Sequence, residues 1–136
     1  MIMRGVKILL LGVLLVFVSC KKDDFSKELQ EAAANSNKLG PQMMSDGIRL
    51  DSVSASKDKV FKYNYTLTED EKSNVSPELL ESFKKEAREE ALKVIKTSEE
   101  MKTFRDHDVT LKYSYVDKNG QPLTEFEIKP ADYKQK

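Results

Sequence analysis

The sequence predicts an α+β fold: one antiparallel sheet of about four strands, in αββ–αββ order, with a long helix packed on one face. Three patterns predict it. Apolar and polar residues alternate over 60–68 and 109–116, which is typical of strands with one buried and one solvated face. An amphipathic stripe over 77–96 indicates a helix between these strands. Short polar linkers join the strands into two hairpins.

The first helix is predicted over residues 25–37. Its apolar residues recur at helical spacing, with charged residues opposite them: Phe25, Leu29, Ala32 and Ala33. The dipeptide Gly40-Pro41 lies beyond its end. A helix with so few apolar residues either packs on the domain or forms part of a stalk, and we expect it to pack.

The first hairpin is predicted to join strands over 48–55 and 60–68 through the polar turn 56–58. Its second strand has the clearest alternation in the chain. The residues that we expect on its core face are Phe61, Tyr63, Tyr65 and Leu67.

The long helix has a complete start signal, with Ser76 as the cap, Pro77 at the first helical position and Glu78 near the positive end of the dipole. A second capping pattern over 97–100 predicts a break and a short extra turn that includes Phe104. The stripe that we expect in the core is Leu80, Phe83, Ala87, Ala91, Val94 and Ile95.

The second hairpin is predicted to turn at Asp-Lys-Asn-Gly, residues 117–120, since Asn and Gly tolerate the positive φ of a tight turn. Pro122 and Pro130 are expected to bound the last strand. The domain is therefore predicted over 25–130, with a frayed tail over 131–136. Core-facing residues of this hairpin are Val109, Leu111, Tyr113, Tyr115, Phe126 and Ile128.

The N-terminal segment has the pattern of an export signal: Arg4 and Lys7, then an apolar run over 8–18 and Cys20. A helix over that run would rise roughly 16 Å, about half of a bilayer core. A small residue before a cysteine, here Ser19, resembles the lipobox of bacterial lipoproteins. The resemblance implies a signal peptide over 1–19, cleavage before Cys20, and covalent lipid on Cys20. The alternative is a plain secretory signal in which Cys20 is a leftover thiol.

The charged block after the cysteine has two interpretations. Lys22, Asp23 and Asp24 resemble the export tag of Bacteroidetes surface lipoproteins, or they form only a charged tether within residues 20–24. The chain also resembles small uncharacterised lipoproteins of Bacteroidetes, a resemblance that implies no activity. It rests on Arg-Leu-Asp-Ser at 49–52, Tyr-Asn-Tyr-Thr-Leu at 63–67, Phe-Arg-Asp at 104–106, and the segment 113–120.

The charge balance argues against nucleic acid as a partner. The chain has 23 basic and 23 acidic residues, and loss of residues 1–19 removes only the bases Arg4 and Lys7. No strongly basic face is implied. We expect the membrane, through the lipid anchor, and an envelope or extracellular protein as partners.

No catalytic or metal-binding constellation is evident in the sequence. His107 lies between Asp106 and Asp108, but adjacent residues in a strand point in alternate directions and do not converge on one ion. We therefore expect no catalytic residue, no metal and no cofactor beyond the covalent lipid. The sequence favours a protein that is not an enzyme and leaves open an enzyme whose site forms only in three dimensions.

One candidate recognition surface is the polar face of the sheet. It would carry a set of polar side chains from both hairpins, and the alternative is that this face is simply the wet side of the sheet. Its predicted residues are Lys62, Asn64, Thr66, Lys112 and Ser114.

Three functional hypotheses follow for an outer-membrane lipoprotein that faces either the cell surface or the periplasm. The first is a non-enzymatic binding or accessory module of the inhibitor or immunity type. The second is a small-molecule carrier or enzyme whose site forms only in three dimensions. The third is an assembly factor for an outer-membrane component.

Overall fold

The order of helices and strands differs from the predicted order by one strand and one helix. A computed structural model describes residues 25–134. The elements are α1 Phe25–Asn37, β1 Gln42–Ser45, β2 Ile48–Ala55, β3 Val60–Leu67, α2 Pro77–Thr97, α3 Lys102–Asp106, β4 Thr110–Val116, β5 Pro122–Ile128 and α4 Pro130–Tyr133. Short 3-10 turns at Lys72–Asn74 and Glu99–Met101 precede α2 and α3.

The predicted signal peptide, Cys20 and the tag residues Lys22, Asp23 and Asp24 lie outside the described residues. Within the described part of the chain, no helix combines the length and the hydropathy needed to cross a membrane.

The sheet has five strands in the order β1-β2-β3-β4-β5, and β3 and β4 within it are parallel to each other. The two predicted hairpins, β2–β3 and β4–β5, are confirmed as antiparallel pairs. The prediction of a wholly antiparallel sheet of about four strands is wrong at β3–β4. The segment between these strands contains α2, and a crossover through a helix returns the chain to the same end of the sheet, which makes the next strand parallel.

The additional strand, β1, has only four residues and no apolar alternation, so it lacks a sequence signal. It pairs antiparallel with the start of β2, from Gln42 opposite Leu50 to Ser45 opposite Ile48. The turn between them contains Gly47, whose φ of 78° favours glycine. With β1, the first αββ unit becomes αβββ.

The long helix begins and ends as predicted. The Leu79 N–H donates to the Ser76 hydroxyl at 3.1 Å, and Pro77 takes the first helical position. At the other end, the extended Ser98 stops α2 and accepts from the Glu100 N–H at 3.2 Å, which starts the next turn.

The hydrophobic core lies on one face of the sheet, beneath α1 and α2. Phe25, Leu29 and Ala33 of α1 are buried in it, so the prediction that the first helix packs on the domain is confirmed. The frayed tail predicted over 131–136 is wrong for Tyr133, which ends α4 in the core and donates to the Val109 carbonyl at 2.8 Å. The buried residues contributed by the rest of the chain are Val53, Phe61, Leu67, Ile95, Val109, Leu111, Tyr115, Phe126, Ile128 and Tyr133.

Candidate functional site

The predicted polar surface is a real face of the sheet. In the register of the parallel pair, Lys62 lies beside Lys112 and Asn64 beside Ser114. These side chains point away from the core face, on which the buried residues of α1 and α2 pack.

Much of this polar face is bonded within itself. Asp51, the extra residue of a bulge in β2, accepts from Thr66 Oγ1 at 2.5 Å and from Arg49 Nε at 2.6 Å. Asn64 donates to the Ser52 hydroxyl at 3.2 Å. Thr66 is only 6% exposed and therefore offers little to a partner, in contrast to its predicted role on a binding surface.

Lys112 on the same face is also paired, to Glu125 of β5 at 3.3 Å. An exposed ion pair of this kind contributes little to stability. The polar face thus resembles a solvated sheet surface whose side chains satisfy one another.

The core face has a different feature, a cluster of four tyrosines on β3 and β4. The parallel register places Tyr63 beside Tyr113 and Tyr65 beside Tyr115. Each of these pairs stacks with ring centroids 4.9 Å apart. The Tyr65 and Tyr113 rings are 6.4 Å apart and nearly parallel, which joins the two pairs into one array. We call these four residues the tyrosine cluster.

The cluster is incompletely covered. Tyr63, Tyr65 and Tyr113 are half-buried, and only Tyr115 is buried. Within residues 25–134, no hydroxyl of the cluster hydrogen-bonds to a protein group.

The pKa values of the cluster reflect this packing. Burial raises the pKa of Tyr65 to about 12. Burial, together with the neighbouring phenols, also raises the pKa of Tyr63, Tyr113 and Tyr115 far above the ordinary value. The hydroxyls therefore stay protonated at any physiological pH.

Two helices frame the tyrosine cluster. α1 packs against β2 and α2 packs against β5, on opposite sides of the core face. Phe83 of α2 meets Tyr115 edge-on, with ring centroids 4.9 Å apart. The cluster lies on the two strands between these helix contacts, and we call this part of the core face, together with the helix surfaces beside it, the tyrosine groove.

One flank of α2 borders this groove. It includes Phe83, and the residues at helical spacing from it are Leu79, Glu86, Glu90 and Val94. Leu79 is 60% exposed and Val94 is 44% exposed, although both are large and apolar. The opposite flank holds Arg88, which pairs with Asp132 of α4 at 3.1 Å. We call the five residues from Leu79 to Val94 the groove flank.

The side chains of Asp106, His107 and Asp108 point to different partners. Asp106 pairs with Lys102 at 2.8 Å, Asp108 pairs with Lys134, and the His107 ring stacks on Phe25 at 3.9 Å. Among the described residues, no group of three His, Cys, Asp or Glu side chains is placed to hold a metal ion.

The sequence patterns did not predict the tyrosine groove, and the reason can be identified. The tyrosines were expected at the core or its rim, and Val94 in the core, whereas Leu79 lay outside the expected helix stripe. Leu79 was the available signal, because a large apolar residue beside the core stripe widens the apolar face beyond what one sheet covers.

Solved structures show that the fold occurs elsewhere. A protein from Pseudomonas aeruginosa (PA3611), provisionally described as secreted, has 15% identity and a TM-score of 0.65, covering 85% of this chain and all of its own. EpsS, a pilotin from the Vibrio vulnificus type 2 secretion system, has 12% identity and a TM-score of 0.57, covering 82% of this chain and 96% of its own. AspS, the type II secretion system pilotin from Vibrio cholerae, has 9% identity and a TM-score of 0.58, covering 79% and 91%.

At these identities the similarity establishes the fold alone. No curated protein matches the chain. A family model does match, over residues 24–124, which include α1 to β4 and the start of β5. The chain therefore belongs to the family described as Domain of unknown function (DUF8479).

Proposed function

We propose that the protein is an envelope lipoprotein that binds a segment of a protein partner in the tyrosine groove and assists the assembly of an outer-membrane component. The observation that carries the proposal is the groove itself, with its half-buried tyrosines and the exposed apolar side chains of Leu79 and Val94.

The chemistry of the groove suits a protein partner. Tyrosine combines a large apolar ring with a hydroxyl and is enriched in protein interfaces. In this groove the rings are stacked against one another, so a partner would meet a preorganised surface and little side-chain entropy would be lost. Leu79 and Val94 add apolar surface that a partner would remove from water.

The fold likeness favours assembly over the other hypotheses. Two of the solved relatives are pilotins of type II secretion systems, and the third is described as a secreted protein, which is compatible with an envelope location. This supports the assembly hypothesis more than the inhibitor or immunity hypothesis. No observation among the described residues favours the carrier or enzyme.

The membrane attachment rests on the sequence. Lipid on Cys20 would hold the domain by a tether of residues 20–24, since α1 begins at Phe25. Lys22, Asp23 and Asp24 are proposed to act as an export tag of the Bacteroidetes type, which would place the domain on the cell surface.

Site-specific photo-crosslinking in whole cells tests the groove. A photoreactive residue at Leu79 or Val94 should cross-link to one and the same outer-membrane protein, identified by mass spectrometry. Leu39 is the matched control, because it is 63% exposed and lies in the loop after α1. Replacing Leu79 and Val94 by Ser should reduce capture of that protein about tenfold.

Equal cross-linking from Leu39 and Leu79, or adducts from Leu79 and Val94 to unrelated proteins, would contradict a specific groove. Cross-links only to a protein that is not part of the outer membrane would keep a binding role and remove the assembly role.

A further inference from the structure

A short stretch at one edge of the sheet exposes three large apolar side chains. Leu39, Met43 and Met44 are 63%, 57% and 54% exposed, and they follow one another closely from the loop after α1 into β1. Single exposed apolar residues are ordinary on a protein surface, whereas a group of them is a signal of an interaction site. We call these three residues the edge patch.

The edge patch lies where this edge of the sheet is open. β1 is the first strand of the sheet, so among the described strands only β2 pairs with it. Farther along β2 the same edge is closed, because the Asn37 side chain hydrogen-bonds to the backbone of Val53. A second molecule that approaches this edge therefore meets the edge patch.

The contact is expected to be made by side chains rather than by a further strand. β1 has only four residues, Pro41 directly precedes it, and its pairing with β2 is irregular between Met43 and Ser45. Short length, proline and bulges all make an edge a poor template for strand pairing. Methionine side chains are flexible and adapt to the surface that they meet.

The edge patch has opposite charges at its two ends. Residues 39–45 carry no charge, whereas Lys38 precedes them and Asp46 follows them. Both are exposed, and neither forms an ion pair within the described part of the chain. Beside the patch, Arg49 of β2 is already paired with Asp51 at 2.6 Å. Lys38 and Asp46 are therefore available to charges on another molecule.

The neighbouring charges keep this polarity. At the acidic end, the Glu69 side chain lies beside Gly47 and adds a second negative charge. At the basic end, the turn 56–59 beyond β2 carries two bases and one acid. The nearest acidic residue of α1, Glu31, is about 10 Å from Lys38 along the helix axis at 1.5 Å per residue.

We infer that the edge patch is a contact between two copies of this chain, related by a two-fold axis with their β1 strands antiparallel. In a two-fold contact each copy presents the same surface to the other. The antiparallel arrangement brings Lys38 of one copy toward Asp46 of the other at both ends, whereas a parallel arrangement would bring like charges together. The inference goes beyond the proposed function, because this surface lies outside the tyrosine groove.

The small size of the edge patch makes the contact weak in solution. Stable interfaces use roughly 20–30 residues from each partner, so we expect a Kd on the order of 100 µM or more. Copies that are confined to one membrane by a lipid anchor meet at a much higher effective concentration. The contact is therefore tested in the cell envelope with the full chain.

Cysteine cross-linking tests the contact. A two-fold axis through the edge patch brings each of its residues near the same residue of the other copy, so Met44→Cys should give a disulfide-linked dimer after mild oxidation. Ser82→Cys is the matched control, because Ser82 is exposed on α2. The unsubstituted chain controls for Cys20, its one cysteine. The dimer yield should exceed both controls at least about fivefold, and Met43→Cys should behave like Met44→Cys.

Charge reversal at the two ends identifies the second copy. In the Met44→Cys chain, Lys38→Glu and Asp46→Lys should each reduce the dimer yield about three- to tenfold, because each places like charges together at both ends. The combined variant Lys38→Glu/Asp46→Lys restores opposite charges and should return the yield to within about twofold of the starting value. A partner other than a second copy would not give this recovery.

Three outcomes would overturn the inference: equal dimer yields from Met44→Cys and Ser82→Cys, adducts of Met44→Cys to a different protein, or no recovery in the combined variant. Photo-adducts from Leu39 should join two copies of the chain, and not reach the outer-membrane protein that cross-links to Leu79. The cross-links from Leu79 and Val94 test the proposed function separately, so either proposal can fail while the other stands.

Discussion

Asn37, the last residue of α1, closes an open edge of the sheet with its side chain. β1 pairs with β2 only as far as Leu50, so the backbone of Val53 would otherwise be unpaired on that side. The Val53 N–H donates to Asn37 Oδ1, and Asn37 Nδ2 donates to the Val53 carbonyl, both at 2.9 Å. One amide thus supplies the donor and the acceptor of a strand residue, which protects the edge from pairing with another chain.

Asn37→Ala should therefore destabilise the domain by about 1–3 kcal/mol, because it leaves a backbone N–H and carbonyl of the buried Val53 unpaired. Urea unfolding followed by circular dichroism measures the change. Asn35→Ala is the control, since the Asn35 side chain is exposed and makes no hydrogen bond within residues 25–134. Equal losses in the two variants would mean that helix propensity, rather than edge closure, sets the effect.

Residue identities predicted the positions of turns but not the hydrogen bonds that a turn residue makes to distant parts of the chain. The segment 117–120 predicted a hairpin, but not that Asp117 would be buried and accept from the N–H groups of Lys72, Gln121 and Asn119. Burial would raise the pKa of Asp117, but these three N–H donors outweigh it and lower the pKa. Lys72 is far away in sequence, and no local pattern reveals such a partner.

At the scale of helices and strands, the sequence predicted well which segments form helices and which form strands. It did not predict that β4 runs parallel to β3. The periodicity of α1, α2, β2, β3, β4 and β5 depends on burial of one face, which the sequence records directly. The pairing of β3 with β4 depends on where α2 packs, which is a tertiary property. The tyrosine groove was not predicted from the sequence for the same reason. Its position depends on where α1 and α2 pack on the sheet.

The parallel pair also predicts an alkaline transition. Every tyrosine of the chain has a raised pKa, the four of the cluster through burial first and Tyr133, at about 12, also mainly through burial. A raised pKa contributes stability that is fully present below the unfolded value of about 10 and is lost as the pH rises above it.

Tyrosinate absorbance should therefore rise near pH 10 in guanidinium and well above pH 11 in the native protein, while urea stability should fall between these values. Coincident titrations of the native and the unfolded protein would show that the tyrosine rings are not packed as described.

At the scale of the whole molecule, α1 and α2 cover one face of the sheet, and the predicted tether, residues 20–24, directly precedes α1. Phe25, the first of the described residues, is buried and lies five positions after Cys20, so a lipid on Cys20 would keep the domain close to the membrane. Composition and signal pattern suggested this location, whereas the choice among partners needed the shape of the groove.

Cys20→Ala should move the protein from the membrane fraction to the soluble fraction of lysed cells. Each buried lipid methylene contributes about 0.8 kcal/mol, and no helix among residues 25–134 replaces that attachment. Ser19→Ala, which keeps the cysteine and a small residue before it, should stay with the membrane. Retention of the Cys20→Ala protein after a carbonate wash would contradict lipid attachment.

The parallel contact between β3 and β4 also sets the order in which the chain folds. The hairpins can form locally, but the sheet is complete only after the roughly 40 residues between β3 and β4 have closed as a loop. During synthesis, Tyr63 and Tyr65 are made well before Tyr113 and Tyr115. The first two rings therefore stay exposed until their stacking partners are available. The late, non-local step makes folding slower than a helical bundle of the same size and leaves the half-formed sheet prone to aggregation.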